Sequence, residues 1–339
     1  MTQYISSIWE FQDEEKQAVH DVFRWYGKLP QQLVRRLITL YSQKNDQVMA
    51  NFAGSGTVLT ESNLAGRDSI GRDMHPISVL INQVKANKYT PKNVDQFIDH
   101  LHSTKYPKKP YFLFPDFDKW FYRDSLIHLQ GILVEINKFR DPRKRAFYQT
   151  CLARIIRKCS KIDSRCINHI VVDHHKKQVS PLEEFENSVS TVSDMISQFR
   201  AQSTNSVINI KQGDARSLDI SNKTIDLMIS HPPYANSVLY YNIYSLLSTL
   251  LGYDYGSIKQ HDMSSGGFTA YLQNLRTTMC ENYRARQEAK GGLARRSPQG
   301  AAGAQEVQGG RHGDQGHPGH PGPVAPHGAQ DPGGARHGK

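Results

Sequence analysis

Two stretches of this sequence, residues 48–76 and 213–234, carry residue types that could do chemistry beside short apolar runs. In the first stretch, an apolar run that begins at Val48 leads into a turn containing Gly54 and Gly56. Glycine leaves room for a ligand to approach the backbone, and it tolerates positive φ angles. Asp73 ends a second strand-like run, where a carboxylate can bind the two hydroxyls of a ribose. The first stretch therefore predicts a ligand-binding loop with an acidic residue beside it.

The second stretch ends in a Pro-Pro-Tyr loop. Residues 224–230 are apolar on both faces, as expected for a central parallel strand, and they lead directly into His231, Pro232, Pro233 and Tyr234. A Pro-Pro backbone is rigid and has no N–H to compete for a partner, so its carbonyls can face a bound group. The ring of Tyr234 offers a flat face for stacking. A rigid surface turn is the alternative for such a sequence in isolation.

Alternating strands and helices must position these loops. Thr57 is placed to cap a helix over 58–65, which Gly66 would end. Apolar residues at helical spacing from Gln31 predict a helix before the first strand, and a further helix over 76–88 follows Asp73. A short strand over 207–210 precedes Gly213. Because ligands bind at the carboxyl ends of parallel strands, both loops are expected at one edge of an α/β sheet.

A long basic segment separates the second and third predicted strands. Its periodicity predicts helices over 120–138, 143–161 and 182–201. Residues 100–178 contain 17 Lys and Arg against seven Asp and Glu, a surplus equal to the net charge of +10 of the whole chain. A localised basic surface suits a nucleic acid partner. Solvated helix faces on a segment that only buttresses the sheet are the alternative.

Three segments, taken together, resemble the amino-methylating DNA methyltransferases, and they occur in the order found in that family. Residues 26–30 resemble the segment before the cofactor loop, and 52–57 resemble the loop itself. Residues 213–216 resemble the adenine-side loop, and 225–234 resemble the strand and catalytic Pro-Pro-Tyr loop. The resemblance covers roughly 24–90 and 205–285.

The resemblance implies a fold, a cofactor and site residues. The fold is α/β, a Rossmann-like S-adenosylmethionine methyltransferase sheet with a helical insertion and without its C-terminal strands. The cofactor is S-adenosyl-L-methionine, the partner is DNA, and no metal site is implied. The implied catalytic residues are His231, Pro232, Pro233 and Tyr234. The implied cofactor-binding residues are Lys28, Pro30, Phe52, Ala53, Gly54, Ser55, Gly56, Thr57, Asp73, Met74, Asp214 and Ala215.

Four regions follow from this comparison. Residues 1–90 are expected to hold the cofactor loop, and 91–204 to form the basic helical insertion, with target recognition as its role. Residues 205–285 are expected to be the catalytic part. Residues 286–339 are rich in Gly, Ala, Pro, Gln, His and Arg and contain no aromatic residue. This composition predicts a disordered low-complexity tail. A shifted reading frame or truncated gene would explain this change in composition, and a histidine-rich metal-binding tail is the alternative.

The implied reaction is methyl transfer to the exocyclic amino group of cytosine (N4) or adenine (N6) in DNA. That nitrogen is a poor nucleophile because its lone pair is delocalised, so acceptors that bind its hydrogens favour attack. In duplex DNA the base must leave the stack to reach the loop. The context of the Pro-Pro-Tyr loop and the following Tyr240-Tyr241 favour cytosine N4. An RNA amino-group methyltransferase and a non-catalytic nucleic-acid-binding remnant are the alternatives.

The sequence departs from the family pattern at both loops. Ala50 and Asn51 stand where the family usually has aspartate and proline, so a carboxylate that would help to hold the methionine amino group is missing. His231 begins the catalytic loop in place of Ser, Asp or Asn. A neutral imidazole can accept one hydrogen bond, whereas a protonated one cannot.

The cysteines and the apolar segments indicate in which cellular compartment the chain is expected. Three cysteines recur at spacings of seven and eight, which predicts buried free thiols along one side of a helix. A zinc site is the alternative, although no C-x-x-C pair supports it. No segment resembles a signal peptide or membrane span, so a cytoplasmic location is expected, with no membrane and no stable protein partner. The three cysteines are Cys151, Cys159 and Cys166, and the histidines of the alternative zinc site are His169, His174 and His175.

Overall fold

The computed structural model describes residues 16–163, 165, 172–235, 239–264 and 266–286. Within these residues one sheet contains β1 (Gln47–Ala50), β2 (Asp68–Asp73), β3 (Ile208–Gln212) and β4 (Leu227–Met228), in the order β3-β2-β1-β4. Every strand pair is parallel, so the carboxyl ends of all four strands lie at one edge. The predicted α/β, Rossmann-like architecture is confirmed.

Helices connect and cover these strands. The predicted helices at 31–41, 76–88 and 182–201 are confirmed to within one residue, whereas the helix predicted over 120–138 begins at Arg123. A 3-10 helix over Ala18–Asp21 precedes them. The α-helices of the described residues are α1 (Gln31–Tyr41), α2 (Thr57–Leu64), α3 (Pro76–Asn87), α4 (Val94–Ser103), α5 (Phe117–Trp120), α6 (Arg123–Asn137), α7 (Pro142–Ile156), α8 (Pro181–Gln202), α9 (Tyr240–Ile243), α10 (Ser245–Leu250), α11 (Tyr255–His261) and α12 (Gly267–Ala285).

β1 is the buried centre of the sheet. β2 and β4 flank β1, and Val48, Met49 and Ala50 are all buried, because Val48 and Ala50 pack in one apolar cluster and Met49 packs in another. β4 is shorter than the strand predicted over 224–230. Before it, the backbone of Ile225 forms a parallel bridge with Arg286, and the Ile225 N–H donates to Ala285 O at 3.1 Å. The end of α12 therefore lies along the start of β4, on the side away from β1.

The helices of the basic insertion share a core with the rest of the fold. α3 packs against β2 and β3 on one side and against α7 on the other. Ile77 of α3, Leu126 of α6, Ile155 of α7 and Val192 of α8 belong to one buried apolar cluster, which also contains Trp25. Each Å² of apolar surface that is buried stabilises the fold by about 25 cal/mol. This cluster is therefore the main source of stability for the insertion.

The cysteine prediction was wrong in its geometry and right about burial. α7 ends at Ile156, so Cys159 lies beyond the helix that contains Cys151. Both are buried free thiols, and burial raises the pKa of each. Cys166 and His169 lie outside the described residues, and no cluster of metal-ligating side chains occurs within them. None of the described helices has the length and apolar character needed to span a membrane.

Candidate active site

The two predicted loops line one open cleft at the carboxyl edge of the sheet. Gly54 follows β1 and Pro233 follows β4, and these two strands are neighbours. Pro30, Gly56, Pro232 and Tyr234 do not line the cleft. The predicted residues that do line it are Lys28, Phe52, Ala53, Gly54, Ser55, Thr57, Asp73, Met74, Asp214, Ala215, His231 and Pro233.

α3 holds the glycine loop from behind with three buried polar side chains. Ser78 Oγ and Asn82 Nδ2 both donate to the Gly54 carbonyl, at 2.8 and 3.0 Å. Lys85 Nζ donates to the Ser55 carbonyl at 2.7 Å. These residues recur at i, i+4 and i+7, so they share one face of the helix. Burial, with the nearby charge of Lys28, lowers the pKa of Lys85 to about 7.

The start of α2 corrects one prediction. Gly56, not Thr57, is the N-cap of α2, and it adopts a left-handed conformation with φ of 79°. Thr57 is the first helical residue and makes no capping hydrogen bond. Its Oγ1 lies 3.0 Å from Ser55 Oγ instead. A Cβ at Gly56 would lie 1.6 Å from Asn82 Oδ1, so only glycine fits between the loop and α3.

Asp73 ends β2 as predicted, and its carboxylate organises the turn around it. Oδ2 accepts from the Gly54 N–H at 2.7 Å, and Oδ1 accepts from the His75 N–H at 2.8 Å. Burial raises the pKa of Asp73, although the hydrogen bonds from the Gly54 and His75 N–H groups act in the opposite direction. Each oxygen has a second lone pair, so the carboxylate can still accept from a ligand.

An aromatic wall that the sequence did not predict closes one side of the cleft. Trp25 stacks on Tyr244 at 4.6 Å and on Tyr240 at 6.0 Å, and the imidazole of His75 meets Trp25 edge-on at 5.6 Å. Trp25, His75 and Tyr240 line the cleft. Their side chains come from three distant segments, so no local spacing in the sequence indicates the cluster. A Cβ at Gly54 would lie 3.0 Å from Trp25 Nε1, which shows how closely the loop approaches this wall.

The residues of the Pro-Pro-Tyr loop form a small hydrogen-bonded group. His231 Nε2 lies 3.1 Å from the hydroxyl of Tyr234, whose ring is 50% exposed. Tyr271 of α12 donates its hydroxyl proton to the Pro233 carbonyl at 2.8 Å. Burial lowers the pKa of His231 below its ordinary value, so the imidazole is neutral at pH 7.

Asp214 lines the cleft and is tied to its own turn. Its carboxylate accepts from Arg216 Nε and Nη2 and from the Arg216 N–H. Although burial would raise the pKa of Asp214, these bonds hold it below the ordinary value. A fixed carboxylate and the adjacent Ala215 backbone are therefore both present at the cleft wall.

Asn51 and His75 line the cleft, and each has a buried polar atom with no hydrogen-bond partner among the described residues. These atoms are Oδ1 of Asn51 and Nε2 of His75. His75 Nδ1 accepts from the Ile77 N–H at 3.2 Å, and burial lowers the His75 pKa to about 3, so Nε2 carries the proton as a donor. Buried polar atoms are nearly always paired in native proteins. The cleft therefore combines a carboxylate, a hydrogen-bond acceptor, a hydrogen-bond donor and aromatic faces. This set of groups fits a nucleoside that carries a charged polar group.

The basic side chains of the insertion are partly committed to the fold itself. Arg154 donates to the carbonyls of Asp21 and Val22, both at 2.6 Å, and Lys176 donates to the carbonyls of Arg157 and Ile162. Contacts of this kind hold chain segments together and do not require a polyanion. A role of the insertion in target recognition stays a prediction.

Comparison with known proteins finds similarity to DNA methyltransferases. Residues 2–83 match the family described as DNA methylase. The chain is 23% identical over 246 residues to the type II methyltransferase M.MvaI of Kocuria varians, and the aligned region covers 66% of this chain and 54% of that protein. It is 24% identical over 284 residues to M.BsoBI of Geobacillus stearothermophilus, covering 74% and 56%. A shorter match to M.MjaII of Methanocaldococcus jannaschii is 33% identical over 93 residues, 27% of this chain and 18% of that protein.

These matches confirm the resemblance to amino-methylating DNA methyltransferases that the loops indicate. The chain spans about half the length of the two relatives that it matches over most of its own length. Enzymes of this family use S-adenosylmethionine as the methyl donor in general.

Proposed function

We propose that this chain, as a relative of the amino-methylating DNA methyltransferases, transfers a methyl group from S-adenosylmethionine to an exocyclic amino group in DNA. The observation that carries the proposal is that Gly54 and Pro233, at the tips of the neighbouring strands β1 and β4, line a single cleft. Cytosine N4 is the favoured target and adenine N6 the second. The names of the relatives favour a site-specific enzyme of a restriction-modification system.

The residues beside the glycine loop would hold the methyl donor. Asp73 would accept from the ribose hydroxyls, and Asp214 or the Ala215 backbone would meet the adenine amino group. The Trp25 wall would exclude water from the same side of the cleft. When bound, the cofactor supplies an activated methyl group, so the protein mainly orients two reactants and excludes water.

The loop after β4 would hold the extruded base. Tyr271 donates to the Pro233 carbonyl and so fixes the loop, from which a prolyl carbonyl would accept from the target amino group. The second acceptor is His231, which is neutral at pH 7 because burial lowers its pKa. Tyr234 lies within hydrogen-bond distance of His231 and is half exposed, so it must leave that contact to stack on the base. Accepting both amino hydrogens favours the tetrahedral geometry that attack requires.

Transfer of a labelled methyl group tests the proposal. The full chain is incubated with S-adenosylmethionine carrying a tritiated methyl group and with mixed-sequence duplex DNA or tRNA. Label in DNA that is abolished by Tyr234→Ala supports the proposal. Label in tRNA alone would favour an RNA methyltransferase. The absence of both transfer and S-adenosylhomocysteine binding would contradict the proposal.

A further inference from the structure

One polar face of α12 reaches both halves of the cleft. Tyr271 donates to the Pro233 carbonyl at 2.8 Å, and Asn274 Oδ1 accepts from Arg216 at 3.0 Å. Further along the helix, Asn282 Oδ1 accepts from Asn51 Nδ2 at 2.8 Å. The three helix residues lie within about 80° of one another around the helix axis, because successive residues advance by about 100°. A single rigid element therefore contacts the tip of β1, the loop after β3 and the loop after β4.

Asn51 is the informative end of this arrangement. It follows Ala50 at the tip of β1, lines the cleft and is only 1% exposed. Its amide nitrogen is used by Asn282, and its Oδ1 has no hydrogen-bond partner among the described residues. A buried acceptor without a partner is unfavourable, and a donor on a ligand would remove that penalty.

Asn282 sets which way this amide points. Since Asn282 presents an oxygen to Asn51, the nitrogen of Asn51 faces the helix and its buried oxygen is the atom left without a partner among the described residues. The methyl donor carries an ammonium group at its methionine end. Ala50, the neighbouring residue, has no polar side chain with which to bind it.

We propose that Asn51, oriented by Asn282, is the acceptor for the ammonium group of the methyl donor, and that Tyr271 of the same helix fixes the base-holding loop beside it. This inference rests on the proposed function and deepens it. Asn51 is a binding residue that replaces a carboxylate by a neutral amide oxygen. Asn282 and Tyr271 are positioning residues, and α12 sets the spacing between the methyl donor and the target base.

Calorimetric titration with two ligands tests the role of Asn282. S-adenosylhomocysteine carries the ammonium group, whereas methylthioadenosine lacks the amino acid part. Asn51→Ala and Asn282→Leu should weaken S-adenosylhomocysteine roughly 10- to 100-fold, since a hydrogen bond to a charged group is lost. Neither variant should change the affinity for methylthioadenosine. Asn282→Asp, which can only accept, should keep the wild-type affinity within about threefold.

The outcomes separate this inference from the proposed function. Equal weakening of both ligands by Asn282→Leu would make Asn282 a general structural residue, and unchanged affinity for both would also overturn the proposal. A loss in Asn282→Asp as large as in Asn282→Leu would mean that the Asn51 amide points the other way. If the wild-type chain bound neither ligand, the proposed function itself would fail.

Steady-state kinetics tests the role of Tyr271. Tyr271→Phe keeps the ring and removes only the hydroxyl that holds Pro233. We expect kcat to fall about tenfold, by loss of one oriented hydrogen bond, with KM for S-adenosylmethionine unchanged. Thr277→Ala is the matched control, because Thr277 is exposed on the same helix and bonds only to Gln273 O. A kcat in Tyr271→Phe equal to that in Thr277→Ala would contradict the proposal.

Discussion

Replacing Gly56 by alanine should weaken both the fold and the ligand loop, because the added methyl group meets α3. The Cβ would lie 1.6 Å from Asn82 Oδ1 and 2.6 Å from Asn82 Cγ. Asn82 is 1% exposed, so it cannot turn out into water. If it is displaced, its bonds to the carbonyls of Gly54 and Ser78, 3.0 and 2.8 Å long, are lost.

The expected cost has two parts. A left-handed conformation costs a residue with a Cβ about 1–2 kcal/mol. Loss of the two Asn82 hydrogen bonds adds about 1 kcal/mol each. Gly56→Ala should therefore lower the free energy of unfolding by roughly 3–4 kcal/mol. Gly252→Ala is the matched control, because Gly252 has φ of 81° and a Cβ there would meet nothing within 4 Å. It should cost only about 1–2 kcal/mol.

Urea unfolding followed by circular dichroism measures the free energy of unfolding of both variants. Titration with S-adenosylhomocysteine measures whether the loop still binds its ligand. The Gly56→Ala, Asn82→Ala double variant should be less destabilised than the sum of the two single variants, because Asn82→Ala removes the clashing atoms. Equal destabilisation by Gly56→Ala and Gly252→Ala would refute the conclusion that α3 dictates the path of the loop.

Three further predictions concern single side chains. Tyr234→Ala should abolish methyl transfer and leave S-adenosylhomocysteine affinity unchanged; equal loss of both by filter binding and titration would argue against base stacking. Because burial lowers the pKa of His231, methyl transfer should fall only when the pH drops below the range in which an ordinary histidine titrates; a pH–rate profile of His231→Asn that shows the same fall would exclude this imidazole. Glu61 is buried between His20 at 2.7 Å and Arg35 at 2.9 Å, and these bonds outweigh burial and lower its pKa. The ionised carboxylate of Glu61 stabilises the fold above the unfolded pKa of about 4.3, and this stabilisation is lost as the pH falls through the lower folded pKa. In chemical unfolding, Glu61→Gln should therefore lower the free energy of unfolding by roughly 3 kcal/mol at pH 7 and by much less near pH 3. A difference that does not depend on pH would contradict the pairing.

The positions of the two loops could be predicted from the sequence because parallel strands bring their carboxyl ends to one edge. Gly54 and Pro233 each follow an apolar run, so their meeting in one cleft needed only the correct strand assignment. Asp73 was likewise placed by its position at the end of β2. These features depend on local pattern and on topology, both of which a sequence carries.

The contacts that support the loop could not be predicted in the same way. Ser78, Asn82 and Lys85 are polar residues at helical spacing, which in a sequence indicates a solvent-facing side of α3. They are buried because the glycine loop supplies carbonyls to that side, a fact of tertiary packing. The pairing of Asn51 with Asn282 joins residues 231 positions apart, and no local pattern contains it.

The errors in the sequence predictions have local causes. Thr57 has the residue type of an N-cap, yet the positive φ of Gly56 starts α2 one residue earlier than expected. The apolar run 224–230 reads as a long strand, but only Leu227–Met228 form β4, and Ile225 before it forms a single parallel bridge with Arg286. In each case a backbone feature that is not encoded by hydrophobic periodicity decided the outcome.

A crystal structure of the full chain with S-adenosylhomocysteine tests most directly whether the tips of β1 and β4 form one reaction cleft. The prediction is ligand density against residues 52–57, with the ribose at Asp73, the amino group at Asn51 and the sulfur facing the Pro233 loop. Density at any other part of the chain, or a ligand whose sulfur faces away from that loop, would contradict it.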